Sequence, residues 1–343
     1  MSVTLKDIAE HIGISVTTVS RALGGFDDVS EATRERVVKT AKTLGYTPNV
    51  SARRLQKQRT DTIGFIIPTY GPRFSDPFFS EFIAGVGNES ARQNFDLVVS
   101  THSPDSESER AAYQRAVLGG WVDGVIVVRT RENDERINSL VKHDFPFVAF
   151  GRTNGVEDFP YVDEDSMTGM GLLVQHFIDL GHQKIGFISP PKGLLFGKIR
   201  RQAYRDTLQK NRIPLNPRWL VYGDLTQHSG AETAAKLLDE APEITALVCG
   251  NDLMAIGAMK SIRERGLQVG VDIAVGGFDD IPLAAFTNPP LTTVHQPIYE
   301  IGKRTCAMLI DVILKRPLQN PHTLLTPILI ERDSSRLNQN RKK

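Results

Sequence analysis

Residues 3–25 read VTLKDIAEHIGISVTTVSRALGG, and the spacing within them decides the first part of the fold. Thr4 suits the cap of a helix beginning at Leu5, with Asp7 three residues on as the acidic partner of a capping box. Leu5, Ile8, Ala9 and Ile12 then share one face at helical spacing. Gly13 breaks the run and Ser15 suits the cap of a second short helix. Its Val19, Ala22 and Leu23 point inward, while Val16, Thr17 and Arg21 point outward. Two short helices joined by a tight glycine-containing turn form a helix-turn-helix. Ser30 starts a third helix that carries Val37, Val38, Ala41 and Leu44 inward and stops at Gly45.

In such a unit the second helix fits the DNA major groove, and its first residues reach base edges. Val16 suits a thymine methyl, Thr17 offers a hydroxyl, and Arg21 offers a fork that matches guanine. Thr4, Ser15, Thr18 and Ser20 suit phosphates or helix caps. Charge agrees: residues 1–60 hold ten Lys and Arg against six Asp and Glu, a local charge of +4, while the whole chain of 343 residues carries only +1. An electropositive head suits phosphate-rich DNA. On pattern alone, a three-helix bundle with a solvated polar face remains the alternative.

The same string, continued by VSEATRERVVKTAKTLGYTPNVSARRL (29–55), resembles the head of the LacI/GalR family of transcription regulators nearly position by position. The resemblance implies a hinge over 48–60, helical when two copies meet on DNA. Asn49 would cap it, and Ala52 and Arg53 would contact DNA. Leu55 stands at the family's position for a leucine that wedges into the minor groove and bends the duplex.

From Thr62 the pattern changes. Short apolar runs recur at 62–67, 95–100, 123–128 and 146–150, and again at 184–189, 219–223, 245–249 and 272–277. Helical patterns lie between them, at 79–93, 107–118, 169–180, 201–210 and 253–265. Strands alternating with helices imply βαβ units around parallel sheets. Two such series imply two similar lobes, with the cleft between them as the default ligand site. The segments LGHQKIGFI, NDLMAIGAM, GVDIAVGGFDDIPLA and PPLTTVHQP are similar to LacI/GalR regulators as well.

The fold class implied is α/β, a three-helix helix-turn-helix head followed by a periplasmic-binding-protein type I body of two parallel-sheet lobes. The domains expected are 1–47, the hinge 48–60, a body over 61–333 and a polar tail over 334–343. One lobe takes 61–161 and 291–323, the other 162–290 and 324–333.

The resemblance also implies ligand contacts. Arg200 stands where sugar-binding members place an arginine that clamps two hydroxyls, with Tyr204 one helical turn on. Asn251 and Asp279 stand at strand ends that bond sugar hydroxyls, and Gln296 at a crossing near the cleft. Amide, carboxylate and guanidinium groups each make two directed bonds to neighbouring hydroxyls. Phe78 follows the first strand and suits stacking on a sugar face, whereas Phe79 suits the core. Asp252 and Asp280 also suit helix caps, and Asp163-Glu164-Asp165 suits a crossing turn with a cap.

Three places depart from the family pattern. The loop Pro68–Ser75 looks long, Leu225 stands where some sugar-binding members place a stacking aromatic, and Arg152 stands where at least one member has an acidic contact, so the ligand's identity is not inherited.

Other classes lack support in the sequence. Hydrophobic residues make up 40% and charged residues 24%, ordinary for a globular chain. No apolar run reaches the roughly 18 residues of a membrane span. MSVTLKDIAEH lacks the apolar core of a signal peptide. Phosphate-loop, nucleophile-elbow and zinc-helix motifs are missing. Cys249 and Cys306 suit buried thiols rather than a disulfide framework. The expectation is a non-enzymatic, cytoplasmic, nucleoid-associated homodimer without cofactor or metal. Its partners would be a pseudo-palindromic double-stranded operator and a mono- or oligosaccharide effector. The polar tail carries no heptad leucines for a tetramerising helix.

Overall fold

The computed structural model describes residues 3–46, 59–69, 76–156 and 158–335. It divides into two compact units, Met1–Thr60 and Asp61–Lys343. The hinge positions Asn49, Ala52, Arg53 and Leu55 lie outside the described residues, as does the 70–75 part of the Pro68–Ser75 loop.

The first unit is built from helices α1 (Leu5–Ile12), α2 (Val16–Gly24) and α3 (Glu31–Leu44). Each begins at a hydroxyl cap. The Thr4 and Asp7 capping box is formed from both sides, with the Thr4 amide donating to Asp7 at 2.7 Å and the Asp7 amide to Thr4 at 3.4 Å. Ser15 Oγ accepts from the Thr18 amide at 3.0 Å and Ser30 Oγ from the Thr33 amide at 3.3 Å. Such caps contribute about 1 kcal/mol each. Ile8, Ala9, Val19, Ala22, Val29, Val37 and Ala41 form the core. Val38, expected inside, is 50% exposed: adjacent helical positions lie about 100° apart, and Val37 takes the inward one.

The second unit holds two sheets. In the first lobe β1 (Thr62–Pro68), β2 (Asp96–His102), β3 (Gly124–Val127), β4 (Phe147–Phe150), β5 (Tyr161–Glu164) and β11 (His322–Leu325) run parallel in the order β2-β1-β3-β4-β5-β11. In the second, β6 (Ile185–Ser189), β7 (Leu220–Tyr222), β8 (Ala246–Cys249), β9 (Ala274–Asp279), β10 (Thr292–His295) and β12 (Ile328–Ile330) give the order β7-β6-β8-β9-β10-β12. Only β12 is antiparallel to its neighbour. Both orders reverse direction at their first strand, which places a crevice beyond the strands' carboxyl ends.

The helices between these strands are α4 (Pro77–Arg92), α5 (Glu107–Gly119), α6 (Glu135–Lys142), α7 (Ser166–Asp179), α8 (Leu195–Lys210), α9 (Gln227–Glu240), α10 (Asp252–Glu264) and α11 (Ile298–Ile313). None of the described helices is long and apolar enough to cross a membrane. Cys249 and Cys306 are both buried and unbridged.

The chain crosses between lobes after Glu164, His295 and Leu325, because β5 and β11 pair in the first sheet and β10 in the second. These points lie a few residues beyond the expected changes at 161, 290 and 323. Each terminal strand completes its ladder before the chain leaves the sheet. The body also extends past 333. Ser334 and Ser335, expected in the polar tail, are buried. Ser334 Oγ donates to the Val275 carbonyl at 2.6 Å and accepts from the Thr292 amide at 2.8 Å, tying the end of the body to β9 and β10.

Each lobe has one helix pair in very close contact, α4 with α11 and α9 with α10. Gly302 faces the Phe82 carbonyl, and Gly257 faces the Gln227 carbonyl. A Cβ at either glycine would overlap a backbone oxygen that cannot rotate away. Gly257→Ala is therefore expected to destabilise the body by about 1–3 kcal/mol, read as a lower urea midpoint. An unchanged midpoint would mean that the helices separate freely.

Candidate functional site

In the first unit α2 presents Val16 and Thr17 outward, and Val16 is 44% exposed. Ser15 and Thr18 are joined through their hydroxyls at 2.8 Å at the start of the helix. Thr4 is exposed, and its side chain serves the capping box. Ser20 is partly buried one turn on. Arg21 is held within the unit, with its guanidinium 2.6 Å from Asp28 and 4.8 Å from the centre of the Phe26 ring. Arg34 and Arg36 donate to the carbonyls of Phe26 and Ile12 at 2.9 and 3.3 Å. They clamp the turns rather than extending the reading face. The exposed face that remains on α2 is small, with Val16 and Thr17 outward and Arg21 engaged by Asp28.

In the second unit a cavity of about 650 Å³, its open mouth included, lies at the carboxyl ends of both sheets. Phe78, Arg152, Arg200, Leu225, Asn251, Asp279 and Gln296 all line it.

The aromatic side of the cavity comes from Phe78, Phe150 and Phe196, with Phe78 stacked on Phe150 at 5.8 Å between ring centres. Phe79, expected as core, is buried but also touches the cavity. The polar side is a set of acid–base pairs. Arg129 bonds Asp76 at 2.8 Å, Arg152 bonds Asp163 at 2.7 Å, and Arg200 bonds Glu164 at 2.7 Å. Arg200 also donates to the Ser166 hydroxyl at 3.0 Å and the Gly250 carbonyl at 2.7 Å, and lies 3.5 Å from the centre of the Phe278 ring. Gln296 Nε2 donates to Asp279 at 2.6 Å.

Backbone geometry shapes the same wall. Asp279 at φ 118° and Leu225 at φ 72° occupy the left-handed region, where non-glycine residues are strained and cluster at functional sites. Asn251 caps α10, accepting from the Met254 amide at 3.0 Å, and its Nδ2 holds the Leu225 carbonyl at 3.1 Å. Leu225 thus presents a short apolar side chain where some sugar-binding members of the family place a ring.

Several expectations change. Tyr204 is buried away from the cavity and donates to the Ile185 carbonyl at 2.8 Å. Asp252 and Asp280 cap nothing. Asp252 is buried and accepts from the Ile281 amide at 2.8 Å, while Asp280 pairs with Arg332 at 2.8 Å and His295 at 3.0 Å. Of the acidic triplet only Asp165 is a cap, accepting from Thr168 at 3.1 Å, whereas Asp163 and Glu164 end β5 inside the cavity. Asp76, Arg129, Phe150, Glu164 and Phe196 are lining residues that sequence reasoning did not single out. For Phe150 and Glu164 the signal was available, since each ends a strand, and Arg129 lies two residues past the end of β3.

Burial dominates the acidity of these carboxyls. Asp163 is pushed up to about 6 by desolvation and neighbouring Glu164, against the pull of Arg152. Buried Asp252 rises to about 7. Asp279 lies well above the ordinary range, again through desolvation, with Arg200 opposing. Each group binds its proton more tightly folded than unfolded. Stability is therefore full below the unfolded value near 4 and falls as pH rises through the folded values. His176, whose pKa burial lowers, works against them. The expected result is a body that melts a few degrees higher at pH 6 than at pH 8, at roughly 1.4 kcal/mol per unit of pKa difference. A flat or inverted profile in calorimetry would show these carboxyls ionised in the folded body.

The two lobes also clasp each other beside the cavity. Arg131 and Leu194 form an isolated antiparallel bridge. The Leu195 amide donates to the Thr130 carbonyl at 3.1 Å and the Glu132 amide to the Gly193 carbonyl at 2.7 Å. Glu132 adds a 3.1 Å ion pair with Lys198. On the first lobe this loop is braced by buried charges, with Arg131 on Glu109 at 2.6 Å and Arg136 on Asp134 at 2.7 Å.

A three-helix helix-turn-helix unit and a two-lobed body with a cleft cavity define a DNA-binding regulator with a small-molecule site. Comparison with known proteins agrees. Residues 4–49 match the family described as bacterial regulatory proteins, lacI family, and residues 174–335 match the periplasmic binding protein-like domain. The HTH-type transcriptional regulator CelR of Thermobifida fusca is 34% identical over 334 residues, covering 96% of this chain and 98% of that protein. A solved transcriptional regulator CelR–cellobiose complex is 32% identical with a TM-score of 0.75, over 97% of this chain and 99% of that one. The Lac repressor dimer bound to operator and the anti-inducer ONPF is 27% identical with a TM-score of 0.84, over 98% of this chain and 100% of that one. The chain belongs to the LacI family of transcriptional regulators.

Proposed function

We propose that this regulator is a homodimeric repressor of carbohydrate-utilisation genes that leaves its operator when a mono- or oligosaccharide binds between the lobes. The observation that carries the reading is the cavity itself. One side offers stacked phenyl rings to the apolar face of a sugar. The other offers carboxylate, amide and guanidinium groups, which bond neighbouring hydroxyls in pairs. Phe78, Arg152, Arg200, Asn251, Asp279 and Gln296 are the contacts assigned, with Leu225 as an apolar wall.

On the DNA side, Val16, Thr17 and Arg21 read bases, while Thr4, Ser15, Thr18 and Ser20 face phosphates. Asn49, Ala52, Arg53 and Leu55 serve the hinge. A two-fold protein matches a pseudo-palindromic operator, and the protein acts in the cytoplasm on the nucleoid. Ligand and operator affinities are linked reciprocally, by roughly 1–3 kcal/mol in ordinary allosteric systems.

The test is fluorescence anisotropy of the protein on its own upstream DNA, with and without a panel of sugars. Release by one sugar supports the reading. Tight binding that no sugar disturbs overturns the inducer assignment in favour of a corepressor, a purine or a protein partner.

A further inference from the structure

Helix α8 carries Phe196 and Arg200 to the cavity, yet it begins without a cap of its own. Helices α4, α5, α6, α7, α9 and α10 each start at a side chain that accepts from a first-turn amide. Helix α8 starts at Leu194, which makes no such bond, and its first turn holds no acidic residue. The open amides of a helix end need acceptors, and its positive pole favours a nearby anion.

Both are supplied by the other lobe. The Leu195 amide donates to the Thr130 carbonyl at 3.1 Å. Glu132 brings the anion, its carboxylate lying 3.1 Å from Lys198 and 3.9 Å from Arg201, both on α8. Glu132 is itself fixed to the first lobe, where its carbonyl accepts from the Asn154 amide at 2.9 Å and the Thr153 hydroxyl at 3.3 Å. Its amide crosses the cleft to the Gly193 carbonyl at 2.7 Å. Neither Glu132 nor Lys198 lines the cavity, whereas Leu195, Phe196, Ile199 and Arg200 do. Arg200 lies one turn beyond Phe196, its guanidinium carbon 4.8 Å from the centre of that ring, so fraying of the first turn displaces both.

Resting on the reading of the cavity as the effector site, we infer that Glu132 is a positioning residue for effector binding. It draws the first turn of α8 onto the first lobe, where Thr130 caps it, so that Phe196 and Arg200 take their places only with the lobes latched. Affinity for an uncharged effector then contains a share contributed by an ion pair that never meets the ligand. The Glu132 and Lys198 side chains are 29% and 54% exposed, which leaves their attraction open to screening by salt. An exposed pair and a charge at a helix end each shift an equilibrium by about two- to fivefold.

The experiment is hydrogen exchange by mass spectrometry on the full-length protein, followed by isothermal titration with a panel of neutral mono- and disaccharides. Glu132→Ala is expected to speed exchange over residues 194–198 by about three- to tenfold, and to leave residues 203–210 of the same helix unchanged. Lys198→Ala removes the other half of the pair and should do the same to a smaller extent. For the sugar that binds, wild-type affinity should fall about threefold between about 0.05 and about 0.5 M NaCl. Glu132→Ala should start about threefold weaker and show no salt dependence. The double variant Glu132→Ala/Lys198→Ala should be no weaker than Glu132→Ala alone. Unchanged exchange over 194–198 in both single variants overturns the inference. A speed-up spread over the whole second lobe also overturns it, by making Glu132 a residue of general stability. Equal affinity and equal salt dependence in wild type and Glu132→Ala overturn it while leaving the sugar reading intact. If no sugar in the panel binds, the sugar reading falls, and the exchange data still decide the role of Glu132.

Discussion

Replacing Arg200 with alanine is expected to produce a protein that still holds operator DNA but no longer releases it when the effector is added. Arg200 is buried, and its guanidinium joins Glu164, Ser166 and the Gly250 carbonyl while lying against the Phe278 ring. Its removal takes away a planar fork facing the cavity and leaves Glu164 as an uncompensated buried charge. Breaking such a pair costs roughly 3–5 kcal/mol. The body should therefore melt on the order of ten degrees lower, while anisotropy on operator DNA at 20 °C stays near wild type. Arg200→Lys keeps the charge without the fork, so it should recover much of the melting temperature and little of the response. A normal sugar response in Arg200→Ala would remove Arg200 from the ligand site. Loss of operator binding together with the response would make its role structural.

The second large effect concerns the DNA-reading helix. Arg21→Ala is expected to weaken binding to the cognate operator by about 10–100-fold, the discrimination that one bidentate base contact supplies. The same substitution should matter far less on unrelated DNA. Arg21 is paired with Asp28 at 2.6 Å and covers Phe26, so reaching a base means giving up that pair. Exposed ion pairs of this kind are worth little, under about 1 kcal/mol, which makes the exchange favourable on DNA. Asp28→Ala should accordingly bind the operator as tightly as wild type or more so. Equal weakening of Arg21→Ala on cognate and unrelated DNA would assign Arg21 to phosphates rather than to bases.

Much of this molecule was legible in its sequence because local signals and tertiary packing agree. Thr4, Ser15 and Ser30 read as caps and are caps. The eight apolar runs read as strands became β1–β4 and β6–β9. The strands that escaped notice, β5, β10, β11 and β12, are three or four residues long and contain Asp, Glu, Thr and His or end a sheet, so they lack the apolar run that marks a central parallel strand.

The same blind spot hid Glu164. A DED triplet has the composition of a turn, and nothing local shows that its first two acids end a buried strand. Phe196 lies near the start of α8 in a stretch, LLFGK, whose periodicity does not separate a cavity wall from a core face. By contrast Arg200, Asn251 and Asp279 were found through resemblance, which encodes tertiary placement that spacing cannot. Resemblance did not reveal that Asn251 is also the cap that fixes Leu225 in its strained turn.

The bridge between Arg131 and Leu194 has a bearing on how such a regulator diversifies. Its bonds join main-chain amides to main-chain carbonyls, so they are blind to the side chains around them. The polar and aromatic contacts of the cavity, in contrast, are made by side chains. A lineage can rewrite what the cleft recognises, one wall residue at a time, and inherit the latch unchanged. Recognition and closure are written in separate alphabets, so a change of menu need not mean a new machine.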